Sequence, residues 1–249
     1  MGNNRLPLVS LLGTGGTIAS WGSPRLEFVQ YWLGGKNLDV HQSLARIPEV
    51  SQYAEVEAEQ VLQTPSMAIG APEWVQLASK INHIFETQPE VDGLVLTHGT
   101  STMEETAYFL HLTIKDLRPV VLTGSMRSAT AVSADGPANL LTAVRVAADT
   151  NAGGRGVLVV LNDEIHSARD VRKTDNNRTD TFVSAEWGAL GVVDLDGVTF
   201  RRSGETLHTV QALPSVAGVE TLPTVPIVAD FAGNDATVLK SWIEQGVAG

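Results

Sequence analysis

The sequence predicts an α/β fold: a large N-terminal domain with a mostly parallel sheet flanked by helices plus a β-hairpin, followed by the start of a smaller α/β C-terminal domain. Three observations predict it. Short apolar runs such as Leu94-Val95-Leu96 have the length and composition of strands buried on both faces. Those runs alternate with stretches of helical periodicity, which is the pattern of βα units. Two of the runs, 8–12 and 94–97, break into loops of glycine and threonine, the chemistry of a chain turning sharply at a sheet edge.

Strands are expected at 8–12, 94–97, 119–123 and 156–161, and helices at about 73–86, 103–112 and 136–149. Pro72 at its start, with Trp74, Leu77, Ala78, Ile81 and Phe85 at helical spacing, supports the first helix. Ser101 and Glu104 fit an S/T-x-x-E capping box for the second. Residues 192–210 alternate and contain turns at Asp196-Gly197 and Ser203-Gly204, which suggests an antiparallel hairpin. The domain is placed at 1–210 and a linker at 211–226, a segment with prolines at 214, 223 and 226. Beyond it, Thr224 to Phe231 reads as a strand, Asp235 as a cap and Ala236 to Gln245 as a helix ended by Gly246, so 227–249 is taken as the beginning of a C-terminal α/β domain.

The 249 residues are 43% hydrophobic, ordinary for a globular protein with a sizeable core. A formal charge of −11 opposes binding to nucleic acid or an anionic membrane, both of which need clustered Lys and Arg. The local cations Arg169, Arg172, Lys173 and Arg178 are better read as site or surface residues. The absence of cysteine excludes disulfides and thiolate zinc sites. No stretch reaches the roughly 18 apolar residues of a membrane span, and the start Met1-Gly-Asn-Asn-Arg-Leu-Pro carries no long apolar leader region, so the expected location is cytoplasmic.

The chemistry concentrates in the two glycine–threonine loops. At the carboxyl ends of parallel strands, loops meet helix N-termini whose free N–H groups favour negative charge, and ligands bind there. Gly15 and Gly16 permit φ > 0 and close backbone approach, leaving the Thr17 hydroxyl at the loop surface as a nucleophile. The bland alternative is a glycine turn capped by threonine. A dinucleotide-binding G-x-G-x-x-G/A anchored on Gly13 and Gly15 fails on register, because Ile18 stands where Gly or Ala is required. A threonine nucleophile needs a base, and a lysine can serve when burial lowers its pKa.

Taken together, Thr14-Gly-Gly-Thr-Ile-Ala19 and the run Thr97 to Ala107 resemble the two signatures of the bacterial-type L-asparaginase/glutaminase family. The likeness continues through Val121 to Arg127, Ser133 to Leu140 and Arg169 to Thr174. The resemblance implies an amidohydrolase that attacks a side-chain carboxamide with Thr17 and passes through an acyl-enzyme, with no metal or organic cofactor. It implies that Lys173 pairs with Thr100, that Ser66 touches substrate and that the long loop from Ser20 to Asn37 closes over it, carrying Tyr31 as a catalytic tyrosine. It makes His98 structural. It also implies a small-molecule amide as partner and a homo-oligomer, a tetramer of intimate dimers, in which a neighbour's carboxylate completes each site. The family continues with a smaller domain of which this sequence holds only a first βα unit, so the chain reads as truncated. One departure stands out: Ser101 occupies the place of an aspartate that binds the substrate α-ammonium, which weakens the case for free L-asparagine. Two rival readings are an amide-binding sensor without turnover and an amidotransferase subunit acting on an acylated RNA.

Overall fold

The computed structural model describes residues 5–204 and 206–247; the reading of the first four residues as the start of a leaderless chain lies outside that range. In chain order the elements are β1 (Leu8–Gly13), α1 (Val40–Leu44), β2 (Glu55–Gln60), α2 (Ala71–Thr87), β3 (Val91–Thr97), α3 (Met103–Thr113), β4 (Val120–Thr123), α4 (Gly136–Ala147), β5 (Val157–Leu161), β6 (Glu164–Ser167), β7 (Arg172–Lys173), β8 (Phe182–Val183), β9 (Gly191–Val193), β10 (Val198–Phe200) and α5 (Thr237–Glu244).

The main sheet has the order β10-β9-β6-β5-β4-β3-β1-β2, with β2, β1, β3, β4 and β5 mutually parallel and the β6, β9, β10 side antiparallel. Successive residues of the central strands go to opposite cores. Leu8, Leu12, Leu94, Leu96 and Leu122 join one apolar cluster with Ile81 and Phe85 of α2 and Leu110 of α3, while Val9, Leu11, Val95 and Val121 join another with Leu140 and Val144 of α4. Burial on both faces explains why these strands read as continuous apolar runs.

Two strands of the main sheet lie outside the sequence expectations, as does the small ribbon of β7 and β8. In β2 the three outward positions are Glu55, Glu57 and Glu59, while Val56 and Ala58 pack on the core; as an edge strand it needs only one covered face. In β6 the chain reverses out of β5 through Asn162 and Asp163, both at positive φ, the two-residue hairpin turn that Asn and Asp tolerate. The β9–β10 hairpin forms about Asp196-Gly197, but strand pairing stops at Phe200, short of the expected 210.

Two expectations at element ends are overturned. Residues 224–231 form no strand, because no segment among the described residues supplies ladder partners to them; Ile227 and Phe231 are exposed there. The helix beyond is present as α5, and the Asp235 carboxylate accepts from the Thr237 N–H at 3.0 Å. The capping box of Ser101 and Glu104 does not form: α3 begins at Met103 behind Thr102, with no side-chain cap. The Glu104 carboxylate is engaged elsewhere, as described below.

Candidate active site

In the order β2-β1-β3, the chain leaves β1 toward one side and returns on the other, so the crevice between the carboxyl ends of β1 and β3 is the topological switch point. Both glycine–threonine loops open there. They are knitted together: Thr14 donates from its backbone N–H (3.2 Å) and its hydroxyl (2.8 Å) to the Thr97 carbonyl. Gly16, at φ 83°, lies so close to the other loop that a Cβ on it would come within 2.5 Å of the Gly99 backbone nitrogen. Only glycine fits this crossing.

The first loop passes directly into a single 3-10 turn, Thr17–Ala19, whose N-terminal N–H groups receive no side-chain cap. Thr17 is half-buried, and its Oγ1 lies 2.7 Å from the Tyr31 hydroxyl. The long loop that carries Tyr31 is pinched at its base: Trp21 N donates to Lys36 O at 2.9 Å and Leu38 N to Ala19 O at 2.7 Å, with a bridge between Ser20 and Asn37. That neck fixes where the loop leaves and re-enters, and brings Tyr31 back over Thr17.

On the opposite wall, Thr100 is buried and its Oγ1 accepts a hydrogen bond from Lys173 Nζ at 2.8 Å. Lys173 is half-buried at the end of β7, in a two-stranded ribbon with β8. Burial pushes its ammonium below the usual lysine value, with Glu104 and Asp175 opposing that shift. Ser66 is also buried, accepting from Ser101 N at 3.2 Å through Oγ and from Thr102 Oγ1 at 2.7 Å through its carbonyl. Thus Thr17, Tyr31, Ser66, Thr100 and Ser101 all line one cavity of about 360 Å³, and Lys173 reaches it through Thr100.

Ser101 lines the cavity with an exposed side chain rather than capping α3. His98 is buried and serves the scaffold: Nδ1 meets the Gly99 carbonyl at 2.7 Å and Nε2 the Thr106 hydroxyl at 3.0 Å, and burial lowers its pKa to about 4. Sequence reading missed Ser20 and Asn37, at the two ends of the long loop, and Gln63, beyond β2, which also line the cavity. No local pattern could have assembled them. It also missed Glu104, whose Oε2 accepts the Lys173 backbone N–H at 2.6 Å. The cavity lining contains hydroxyls, two carboxamides, Met67, Pro65 and glycines, but no carboxylate. Among the described residues, no group of three or more His, Asp or Glu side chains is placed to hold a metal ion, and no helix is long and apolar enough to cross a membrane.

Comparison with known proteins places this arrangement among relatives. Residues 8–205 match the family model described as asparaginase, N-terminal. The chain is 41% identical over 244 residues to L-asparaginase 2 of Bacillus subtilis, covering 98% of this chain and 64% of that protein. It is likewise 41% identical over 244 residues to a probable periplasmic L-asparaginase of Haemophilus influenzae, covering 98% and 68%. The crystal structure of a probable cytoplasmic L-asparaginase from Campylobacter jejuni superposes with a TM-score of 0.91 at 38% identity, covering 97% of this chain and 72% of that one. The chain therefore spans about two thirds of the length of the curated relatives it matches.

Proposed function

This chain belongs to the asparaginase family, and from that premise we propose that it is an amidohydrolase cleaving a side-chain carboxamide, L-asparagine or a related ω-amide, through a threonine acyl-enzyme. The observation that carries the reading is a pair of hydroxyl dyads facing one cavity: Thr17 with Tyr31 and Thr100 with Lys173. In the first step Thr17 Oγ1 attacks the carboxamide carbon. The Tyr31 hydroxyl takes the threonine proton while giving its own to the leaving nitrogen, and ammonia departs as the C–N bond breaks. Backbone N–H groups at the Thr17 turn, which no side chain caps, serve in this reading as donors to the developing oxyanion. In the second step a water molecule gives its proton through Thr100 to the neutral Lys173 amine, attacks the ester and releases the acid. A lysine with a lowered pKa supplies that amine more readily than an exposed one.

Ser66 and Ser101 serve in this reading as substrate-binding groups, supported by their places on the cavity wall. The catalytic unit is read as 1–210 with a linker at 211–226, which agrees with a family match ending at 205. We further read the active form as a homo-oligomer, which sedimentation tests, and its location as cytoplasmic; only the location is supported by the likeness to the Campylobacter structure, and the Haemophilus relative carries the opposite description, so cell fractionation decides. The function is tested by following ammonia release from a panel of linear amides. Saturable binding of amides without any ammonia would replace the enzyme by a sensor.

A further inference from the structure

Lys173 is held by an unusual support. The main sheet positions Thr17 and Thr100 at the ends of β1 and β3, but β7 belongs to a separate ribbon whose only strand partner is β8. Phe182 of β8 anchors the ribbon in the core, and Ser184 just beyond β8 meets His166 at 3.1 Å, but the Lys173 end is tied to the site by side chains. One such link is the Lys173 Nζ bond to Thr100, which a proton-transferring amine cannot keep in one protonation state throughout a reaction. A second is independent of that proton: the Lys173 backbone N–H donates to Glu104 Oε2 at 2.6 Å.

Glu104 is well built for a mooring. It stands in the first turn of α3, where the helix dipole favours an anion, and α3 packs through Met103, Ala107 and Leu110 into the core. Its other oxygen faces Arg172 Nη1 at 4.0 Å. The carboxylate is thus fixed from the sheet side and grips both residues of β7.

We propose that Glu104 is a positioning residue for the reaction, clamping the β7 backbone to α3 so that the Lys173 amine stays on Thr100 through both chemical steps. This rests on the amidohydrolase reading for its kinetic consequences but not for its structural ones. The charged groups facing Lys173 are Glu104 from α3 and Asp175 from its own ribbon, with Arg172 beside Glu104; β8 presents Phe182 and Val183 and adds none. Glu104 therefore has two separable actions. Its oxygen holds the backbone, and its charge favours the ammonium over the amine.

Two variants separate them. Glu104→Gln keeps an acceptor for the Lys173 N–H and loses the charge, while Glu104→Ala loses both. Glu104→Ala is expected to lower kcat by about 10–100-fold with little change in KM, the scale of a misplaced catalytic group. Glu104→Gln is expected to retain most of kcat and to move the acid limb of the kcat profile to lower pH, because an ammonium without its anion gives up its proton sooner. The same downward shift is expected in the Lys173 resonance of protein labelled at lysine Cε, assigned by its loss in Lys173→Met; this readout needs no turnover. A Lys173 titration unmoved in Glu104→Gln, or a Glu104→Ala enzyme as fast as the parent, overturns the proposal. If the parent releases no ammonia from any amide, the amidohydrolase reading fails, and the resonance alone decides the role of Glu104.

Discussion

Gly16 and Gly99 touch backbone to backbone, and no side chain can be inserted between them. This crossing brings the Thr17 loop and the Thr100 loop to one cavity, so the site depends on an approach that only glycine allows. Gly16→Ala is expected to destabilise the protein by on the order of 2–4 kcal/mol, combining an overpacked contact with a positive φ. Denaturant midpoints measure it, and a loss below about 0.5 kcal/mol, the range of an ordinary surface change, would show that the loops part without penalty.

Thr17→Ala is expected to abolish hydrolysis and leave the melting temperature nearly unchanged. Thr17 is only half-buried, so its hydroxyl contributes little to stability, whereas removing a nucleophile closes the covalent route. Retention of more than about a tenth of the activity, a barrier increase of only about 1.4 kcal/mol, would remove Thr17 from that role.

The cavity lining carries no carboxylate, and the basic group nearest its threonines is Lys173, bonded to Thr100. A substrate ammonium bound there meets no anionic partner among the lining residues. Ser101→Asp is expected to raise the kcat/KM ratio of L-asparagine over succinamic acid, which lacks the amine, by roughly 1.5–3 kcal/mol. The two substrates are compared in both proteins. An unchanged ratio would mean that a carboxylate from outside this chain already reads the amine.

Three buried histidines make stability sensitive to mild acid. Burial lowers His98, His111 and His166 to about 4 each, with His208 and Arg202 adding like charge against His111 and His166 respectively. A folded pKa below the unfolded value of about 6.5 means that the unfolded chain binds more protons between those limits. The stability these groups contribute is therefore complete above about pH 6.5 and falls as pH drops toward 4. Unfolding free energy is expected to decline by a few kcal/mol between pH 7 and pH 5. A flat profile over that window would show that the histidines ionise without unfolding.

The sequence makes the centre of this fold legible because its physics is local there. Leu8–Leu12 and Leu94–Thr97 must be apolar on both faces, and the glycines after them must turn, so pattern and structure coincide. Thr17, Thr100 and Lys173 are legible by motif likeness; the switch-point topology brings the two threonine loops together, while Lys173 reaches Thr100 from the separate ribbon of β7 and β8. What escaped depends on neighbours. The glutamates of β2 hide a strand that buries one face only, and 224–231 has strand composition without a strand beside it. Ser101 and Glu104 have the spacing of a capping box, but Glu104 is drawn away by a backbone N–H 69 residues distant. Spacing cannot register that competition.

The position of β1 has a consequence for the order of assembly. It precedes both of its partners in the chain, yet it lies between β2 and β3, and its β3 register pairs Gly13 with Thr97. During synthesis its hydrogen-bonding edges wait for partners more than 40 and then more than 80 residues later, and such distant parallel pairings are slow to close. Lys173 arrives later still. On the mechanism proposed above, a growing chain therefore carries Thr17 and Tyr31 long before the Lys173 amine that serves the second step, and full turnover waits until the ribbon of β7 and β8 docks. Chemical competence is in this sense a late marker of folding, one that can be timed against the far earlier appearance of helices.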